Sequence, residues 1–376
     1  MERKFRGFST LVVLVAFVSG ILLLIGSCEK EPNVYKIGAI LPLTGDAAIW
    51  GQNCKKGIDL AVDQANKKSI RGKNIQVIYE DSKALAKTGV DAMNKLVNID
   101  KVPVVIDDAV SSVALAIMPI AQKNQILVTS IGSTNPELSK AGKFFFRVWN
   151  SDAEEGLFSA DYVFEKLNFH NMAIFYINNE YGRGLRDVFE KEFNDKGGTI
   201  VIIESFEQNA TDVRGQLTKI KNANPDGIYL VGYPDELPKV IKQAHESGIK
   251  TQFIATVAFE DPSIVKNAGE AAEGVIYPFP KAPDESNPAL QNFKTLHKEK
   301  YGEAAGVVSD AAYDAASLVI HCIDKGGYNG PKIQEVMATI KDWQGASGEI
   351  TFDENGDVHK PMIMKTVKDG VFVELK

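Results

Sequence analysis

Small hydroxyl residues and glycine gather in two stretches of this chain, Ser111-Ser112 and Ser130-Ile131-Gly132-Ser133-Thr134. Hydroxyls and free backbone N–H groups bind a carboxylate or another small anion when they stand at helix starts or strand ends. A serine at a helix start also serves as an N-cap. For Ser111 and Ser112 both readings stand, and the second stretch is what adds weight to an anion seat. The elements around them supply the geometry. Val104-Val105-Ile106 is a β-branched run that predicts a buried strand. A turn over 107–112 leads to a helix over 113–122, with Val113, Ile117 and Ile120 on one face and Pro119 as a kink. Ile126-Leu127-Val128 predicts the next strand. The unit is β-α-β, and in an open parallel sheet ligands sit outside the carboxyl ends of the strands.

Other chemistry is sparse. The five histidines (His170, His245, His297, His321, His359) show no ligand spacing, and no Walker loop, HExxH, CxxC or GxSxG occurs. Asp107-Asp108 are neighbours on a strand end and point in opposite directions. Asp353-Glu354-Asn355-Gly356-Asp357 has a faint likeness to a calcium loop without its ligand spacing or closing glutamate. Tyr181-Gly182-Arg183-Gly184 lacks the third glycine of a dinucleotide site. No nucleophile is paired with a base. The chain reads as a binding protein, not an enzyme, with no cofactor or metal expected.

The first residues read as an export signal. Arg3, Lys4 and Arg6 precede an apolar stretch over 11–25, shorter than the roughly 20 residues a membrane span needs. Its Ile25-Gly26-Ser27-Cys28 ending resembles a bacterial lipobox, which implies cleavage of residues 1–27 and a lipid on Cys28. The alternative is an ordinary signal peptide with an incidental cysteine. Cleavage leaves 349 residues (376 − 27), more than one hydrophobic core usually supports, so two lobes are expected. Lys+Arg falls from 42 to 39 and Asp+Glu from 49 to 48, a net charge of −9 (39 − 48). Such a balance argues against a nucleic-acid partner, and membrane contact is expected through the lipid alone. Cys54 and Cys322 either pair outside the cytoplasm or remain as buried apolar thiols.

From Val34 onward strand and helix patterns alternate. Strands are predicted over 34–41, 74–79, 172–177, 200–203 and 227–231. Helices are predicted over 51–65 and 88–99, and from near Gly184, Ala210 and Glu236. Lys143 to Trp149 is an apolar run, and Asn150-Ser151-Asp152 reads as the start of a helix. A long amphipathic helix follows over 310–324, and Asp-Glu-Asn-Gly at 353–356 and Asp-Gly at 369–370 read as hairpin turns. Alternation of this kind predicts an α/β protein with parallel sheets covered on both faces.

Five segments taken together resemble the type I periplasmic binding proteins, and within them the leucine/isoleucine/valine-binding family of ABC importers. They are Ile37-Gly38-Ala39-Ile40-Leu41 into Pro42-Leu43-Thr44-Gly45, Ser111-Ser112, Ser130 to Leu138, Tyr181-Gly182-Arg183-Gly184 and Gly248 to Phe253. The likeness spans the chain from Val34 to about Lys376. It implies two doubly wound parallel-sheet lobes joined by three hinge crossings, near Val148, Tyr277 and Ser347. One lobe would hold 34–148 and 279–346, the other 149–278 and 347–376. By position, Ser111, Ser112, Gly132 and Thr134 would hold a ligand carboxylate. Trp50, Tyr181 and Tyr233 would pack on the ligand body. In amino-acid binders of this group an acidic residue clamps the ligand's ammonium, whereas this chain has Thr256-Val257-Ala258 there. Either Glu260 or Asp261 takes that role, or the ligand has no α-amino group. The implied function is a lipid-anchored substrate-binding component at the cell envelope, delivering a branched-chain or other hydrophobic amino acid to permease subunits. The alternatives are a binder of a small carboxylate lacking an amino group, and a sensory lipoprotein reporting to a receptor.

Overall fold

The computed structural model describes residues 33–375 apart from Asp46 and Asp108, so Cys28 lies outside the described residues. The chain begins with β1 (Val34–Leu41), α1 (Ala48–Asn66), β2 (Asn74–Asp81), α2 (Ala86–Lys95) and β3 (Val104–Asp107). It continues through α3 (Ser111–Asn124), β4 (Leu127–Ser130) and β5 (Phe145–Arg147). These strands form one sheet in the order β2-β1-β3-β4-β5, with β1, β3, β4 and β5 running parallel. Every residue of β3, β4 and β5 is buried, as a sheet covered on both faces requires.

A second set follows: α4 (Asp152–Asp161), β6 (Asn171–Ile177), α5 (Glu180–Asp195), β7 (Thr199–Phe206), α6 (Arg214–Ala223) and β8 (Gly227–Val231). Then come α7 (Leu237–Glu246), β9 (Gln252–Ile254), α8 (Pro262–Ala268) and β10 (Ile276–Pro280). The chain returns to the first sheet through α9 (Pro288–Tyr301), α10 (Ser309–Gly326), which packs on α1, and α11 (Gly330–Met337). A small hairpin of β11 (Trp343–Gly345) and β12 (Gly348–Ile350) precedes β13 (Met362–Lys368) and β14 (Val371–Glu374). The second sheet runs β14-β13-β10-β9-β8-β6-β7. Its β7-β6-β8-β9-β10 part is parallel and repeats the strand order of the first sheet, while β13 and β14 add an antiparallel edge.

Where the chain passes between the two halves it is laced by buried polar groups. Asn150 Nδ2 donates to Lys360 O at 2.7 Å, and Lys360 N donates back to Asn150 Oδ1 at 3.1 Å. Lys360 Nζ donates to Ser347 O (3.0 Å) and Oγ (2.9 Å), and Ser347 N and Oγ each donate to Asp314 at 2.7 Å. Arg147, fully buried, donates through Nε to Asp357 Oδ1 at 2.7 Å.

Three expectations need correction, the first being the helix placed from near Ala210, which begins at Arg214. The 353–356 stretch joins no paired strands. Asp353 instead accepts from Asn355 N (2.8 Å) and Asp357 N (2.9 Å), closing a local turn. The helix placed from Gly184 begins at Glu180, because Asn179 accepts from Gly182 N at 3.0 Å and caps it there. The Asp369-Gly370 turn does join β13 to β14 as a hairpin. Cys54 and Cys322 are both buried in the core, with no bond joining them. Among the described residues no helix is long and apolar enough to cross a membrane.

Candidate functional site

Six parallel strands end around one cavity of about 30 Å³. Trp50 reaches it from the first turn of α1, beyond β1; Ala109 follows β3, Gly132 and Thr134 follow β4, and Trp149 follows β5. From the second half come Tyr181, beyond β6, and Val257 with Ala258, beyond β9; Val307 and Val308 close the wall ahead of α10. No charged side chain is among these lining residues. Val308 holds a left-handed backbone (φ 63°), an outlier for a β-branched residue and a form of strain found where a site demands it. A larger open groove of about 590 Å³ shares Trp149, Val307 and Val308 with the cavity.

The aromatic residues form a column across the two halves. Tyr181 stacks on Tyr233 with centroids 5.4 Å apart and planes 9° from parallel, and Trp50 meets Tyr233 edge-on at 5.7 Å. Tyr233 is buried behind its neighbours and lies outside the lining set. Tyr181 OH donates to Thr256 Oγ1 at 2.9 Å, which fixes its ring. The indole N–H of Trp50, one of the lining residues, is buried and has no acceptor among the described residues. Two further bonds tie the halves together: Asn135 Nδ2 to Glu180 O at 2.7 Å, and Ala47 N to Asp235 Oδ2 at 3.0 Å.

The loop after β4 is held from within. Ser111 Oγ accepts from both Thr134 N and Asn135 N at 3.2 Å, and Ser133 Oγ donates to Asp107 at 2.9 Å. Ser111, fully buried, therefore shapes the loop and leaves Gly132 and the Thr134 side chain at the cavity. Ser112 is not brought there. One position on along α3, it faces a separate groove beside Leu85, Leu115 and Asn179. Glu260 is not brought there either: it pairs with Lys365, accepts from Tyr277 OH at 2.6 Å and borders the larger groove. Asp261 is engaged as the N-cap of α8, accepting from Ser263 N at 2.8 Å.

Two carboxyls lie behind this wall: Asp152, which in the sequence reads only as part of a helix start, and Glu155, which the sequence does not single out. Asp152 and Glu155, one turn apart in α4, are 0% and 2% exposed. Glu155 Oε1 accepts from Val257 N at 3.0 Å, beside the position where the resemblance implies an acidic residue. Burial pushes the Asp152 carboxyl up to about 7, against the Thr134 hydroxyl and Arg147, which favour its charged form. Burial and the neighbouring Asp152 also raise Glu155 well above the ordinary range, and the Val257 N–H opposes them. Asp152, Glu155 and Ser159 share a helix face with the small residues Gly156 and Ala160, but acids in the first turn of a helix are ordinarily solvated, so the sequence carries no signal of their burial.

The family model for periplasmic binding proteins matches residues 34–371. A Leu/Ile/Val-binding protein homolog of Brucella abortus is 29% identical over 330 residues, covering 85% of this chain and 86% of its own. A leucine binding protein from Thermotoga maritima has the same fold with a TM-score of 0.85 at 29% identity, covering 91% of this chain and 98% of that one. The branched-chain amino acid transporter substrate binding protein of Streptococcus pneumoniae, solved with isoleucine, gives 0.82 at 28% identity, covering 91% and 100%.

Proposed function

The chain belongs to the periplasmic binding protein family, in its type I, leucine/isoleucine/valine-binding branch, and from that premise we propose that it is the substrate-binding component of an ABC importer for a hydrophobic amino acid. The observation that carries the reading is the cavity itself. It combines an aromatic and aliphatic wall with the Thr134 hydroxyl and the Trp50 N–H, and it is closed by bonds between the two halves. The wall favours an apolar body, at about 25 cal/mol per Å² buried, and the donors suit a carboxylate. In this reading lobe 1 comprises 34–148 and 279–346, lobe 2 comprises 149–278 and 347–376, and hinge motion between them admits the ligand. The protein is exported and held at the envelope by a lipid on Cys28, and it hands its ligand to permease subunits. In this reading it binds its ligand, as the substrate-binding proteins it resembles do, and releases it unchanged.

The uncharged lining favours a second reading, a small hydrophobic carboxylate without an amino group. A thermal-shift screen that pairs each amino acid with its deaminated analogue, such as leucine with 4-methylpentanoate, separates the two. Stabilisation follows RT ln(1 + [L]/Kd), so the preferred class stands out. Stronger stabilisation by leucine, isoleucine or valine is expected. Equal or stronger stabilisation by the deaminated acids replaces the first reading with the second.

A further inference from the structure

Two carboxyls stand behind the cavity wall with no cation committed to them. Asp152 N donates to Thr134 O at 2.8 Å, and Glu155 Oε1 accepts from Val257 N at 3.0 Å, so each is fastened to a residue that lines the cavity. The nearest guanidinium is engaged elsewhere: Arg147 pairs with Asp357 and donates to Thr134 O (2.9 Å), Asn135 O (3.2 Å) and Ser139 Oγ (2.7 Å). Both Asp152 oxygens are buried without a well-formed hydrogen bond among the described residues, although the Thr134 hydroxyl lies beside them. Tyr181 and Tyr229, the phenols nearest the pair, are buried and raised well above the ordinary range, chiefly by burial and then by Glu155 and Asp152.

The start of α4 favours negative charge only weakly. Removing carboxylates from water costs far more than that unless a cation meets them. Burial wins, and the pair holds protons until a cation arrives.

We propose that Glu155, with Asp152 beside it, receives the ligand's ammonium group at the Val257 position, and so selects α-amino acids over their deaminated counterparts. This rests on the amino-acid reading and names the group that would enforce it. The Thr134 hydroxyl, between the carboxyl pair and the cavity, aligns the ammonium beside the ligand's carboxylate. As the ammonium docks, the pair releases its proton to solvent and one buried negative charge meets one positive charge.

Calorimetry with leucine and 4-methylpentanoate on the parent and on Glu155→Gln tests this. The parent should favour leucine and release protons on binding it near pH 7, measured in two buffers of different ionisation enthalpy, and release none with 4-methylpentanoate. Glu155→Gln should bind leucine about tenfold more weakly or worse, the loss of a charged hydrogen bond. It should bind 4-methylpentanoate as the parent does, so that the preference collapses. A general packing defect would weaken both ligands alike, and that result overturns the inference. So does a variant that keeps the parent's preference, and in both cases the amino-acid reading stands. A parent that prefers the deaminated acid overturns that reading and this inference with it. If Glu155→Gln does not fold, the parent decides: leucine binding without proton release overturns the inference.

Discussion

Ser111 accepts two backbone N–H groups that no other described group meets, so deleting its hydroxyl orphans Thr134 N and Asn135 N inside a buried loop. Ser111→Ala should lower stability by about 1–3 kcal/mol, the cost of unmet buried donors. Ser112→Ala, in a separate groove, should leave both stability and affinity unchanged; urea melts and calorimetry on the two variants check this. Asp152 gives a prediction in pH. Its folded pKa is about 7 against an ordinary 3.8, so between those values the folded chain holds a proton that the unfolded chain has released. Its contribution to stability is therefore present at low pH and lost as pH rises from about 4 to 7. Asp152→Asn, permanently neutral, should match the unliganded parent near pH 4 and exceed it at pH 8 by on the order of 2–4 kcal/mol, read from melting temperatures at several pH values. A gain that does not grow with pH would show that burial does not strain the carboxyl. Residue types announced the hydroxyl cluster in the sequence, but not which hydroxyls turn inward. That depends on one step of about 100° around α3, which separates Ser111 from Ser112.

At the scale of elements, both halves start the helix after their first strand with a glycine pressed on the chain that precedes it. A Cβ on Gly51 would stand 2.1 Å from Pro42 O, and one on Gly182 would stand 1.9 Å from Ile177 O. Gly182→Ala should therefore cost about 1–3 kcal/mol through a forced shift of α5. Because Tyr181 precedes it, ligand affinity should fall as well, and melting together with calorimetry measures both. The strands were the most legible elements: β1 and β8 have the bounds that their apolar runs predict. Helix starts were less so, since Asn179 moves one by four residues through a cap that periodicity does not register. Glu260 was misplaced for a related reason. The short turn over 257–260 carries it away from the cavity and toward Lys365 on β13, a partner more than a hundred residues later.

For the whole molecule, two sheets with one strand order present their carboxyl ends to the same cavity, and away from the connecting segments the contacts that bridge them among the described residues include Asn135 to Glu180, Ala47 to Asp235 and the ring contact of Trp50 with Tyr233. The alternation of elements foretold the sheets. The pairing of α1 with α10, from opposite ends of the chain, was beyond local patterning. Of the three tryptophans, Trp50 and Trp149 line the cavity, while Trp343 sits on the β11–β12 hairpin against His321. The protein thus carries its own optical reporter. Docking of a ligand changes the polarity and collisional quenching around two of three indoles at once, so the emission spectrum should shift in position and intensity as the site fills. Trp50→Phe and Trp149→Phe should each remove part of that signal, and Trp343→Phe none of it. The titration would follow occupancy of the site directly, without any label.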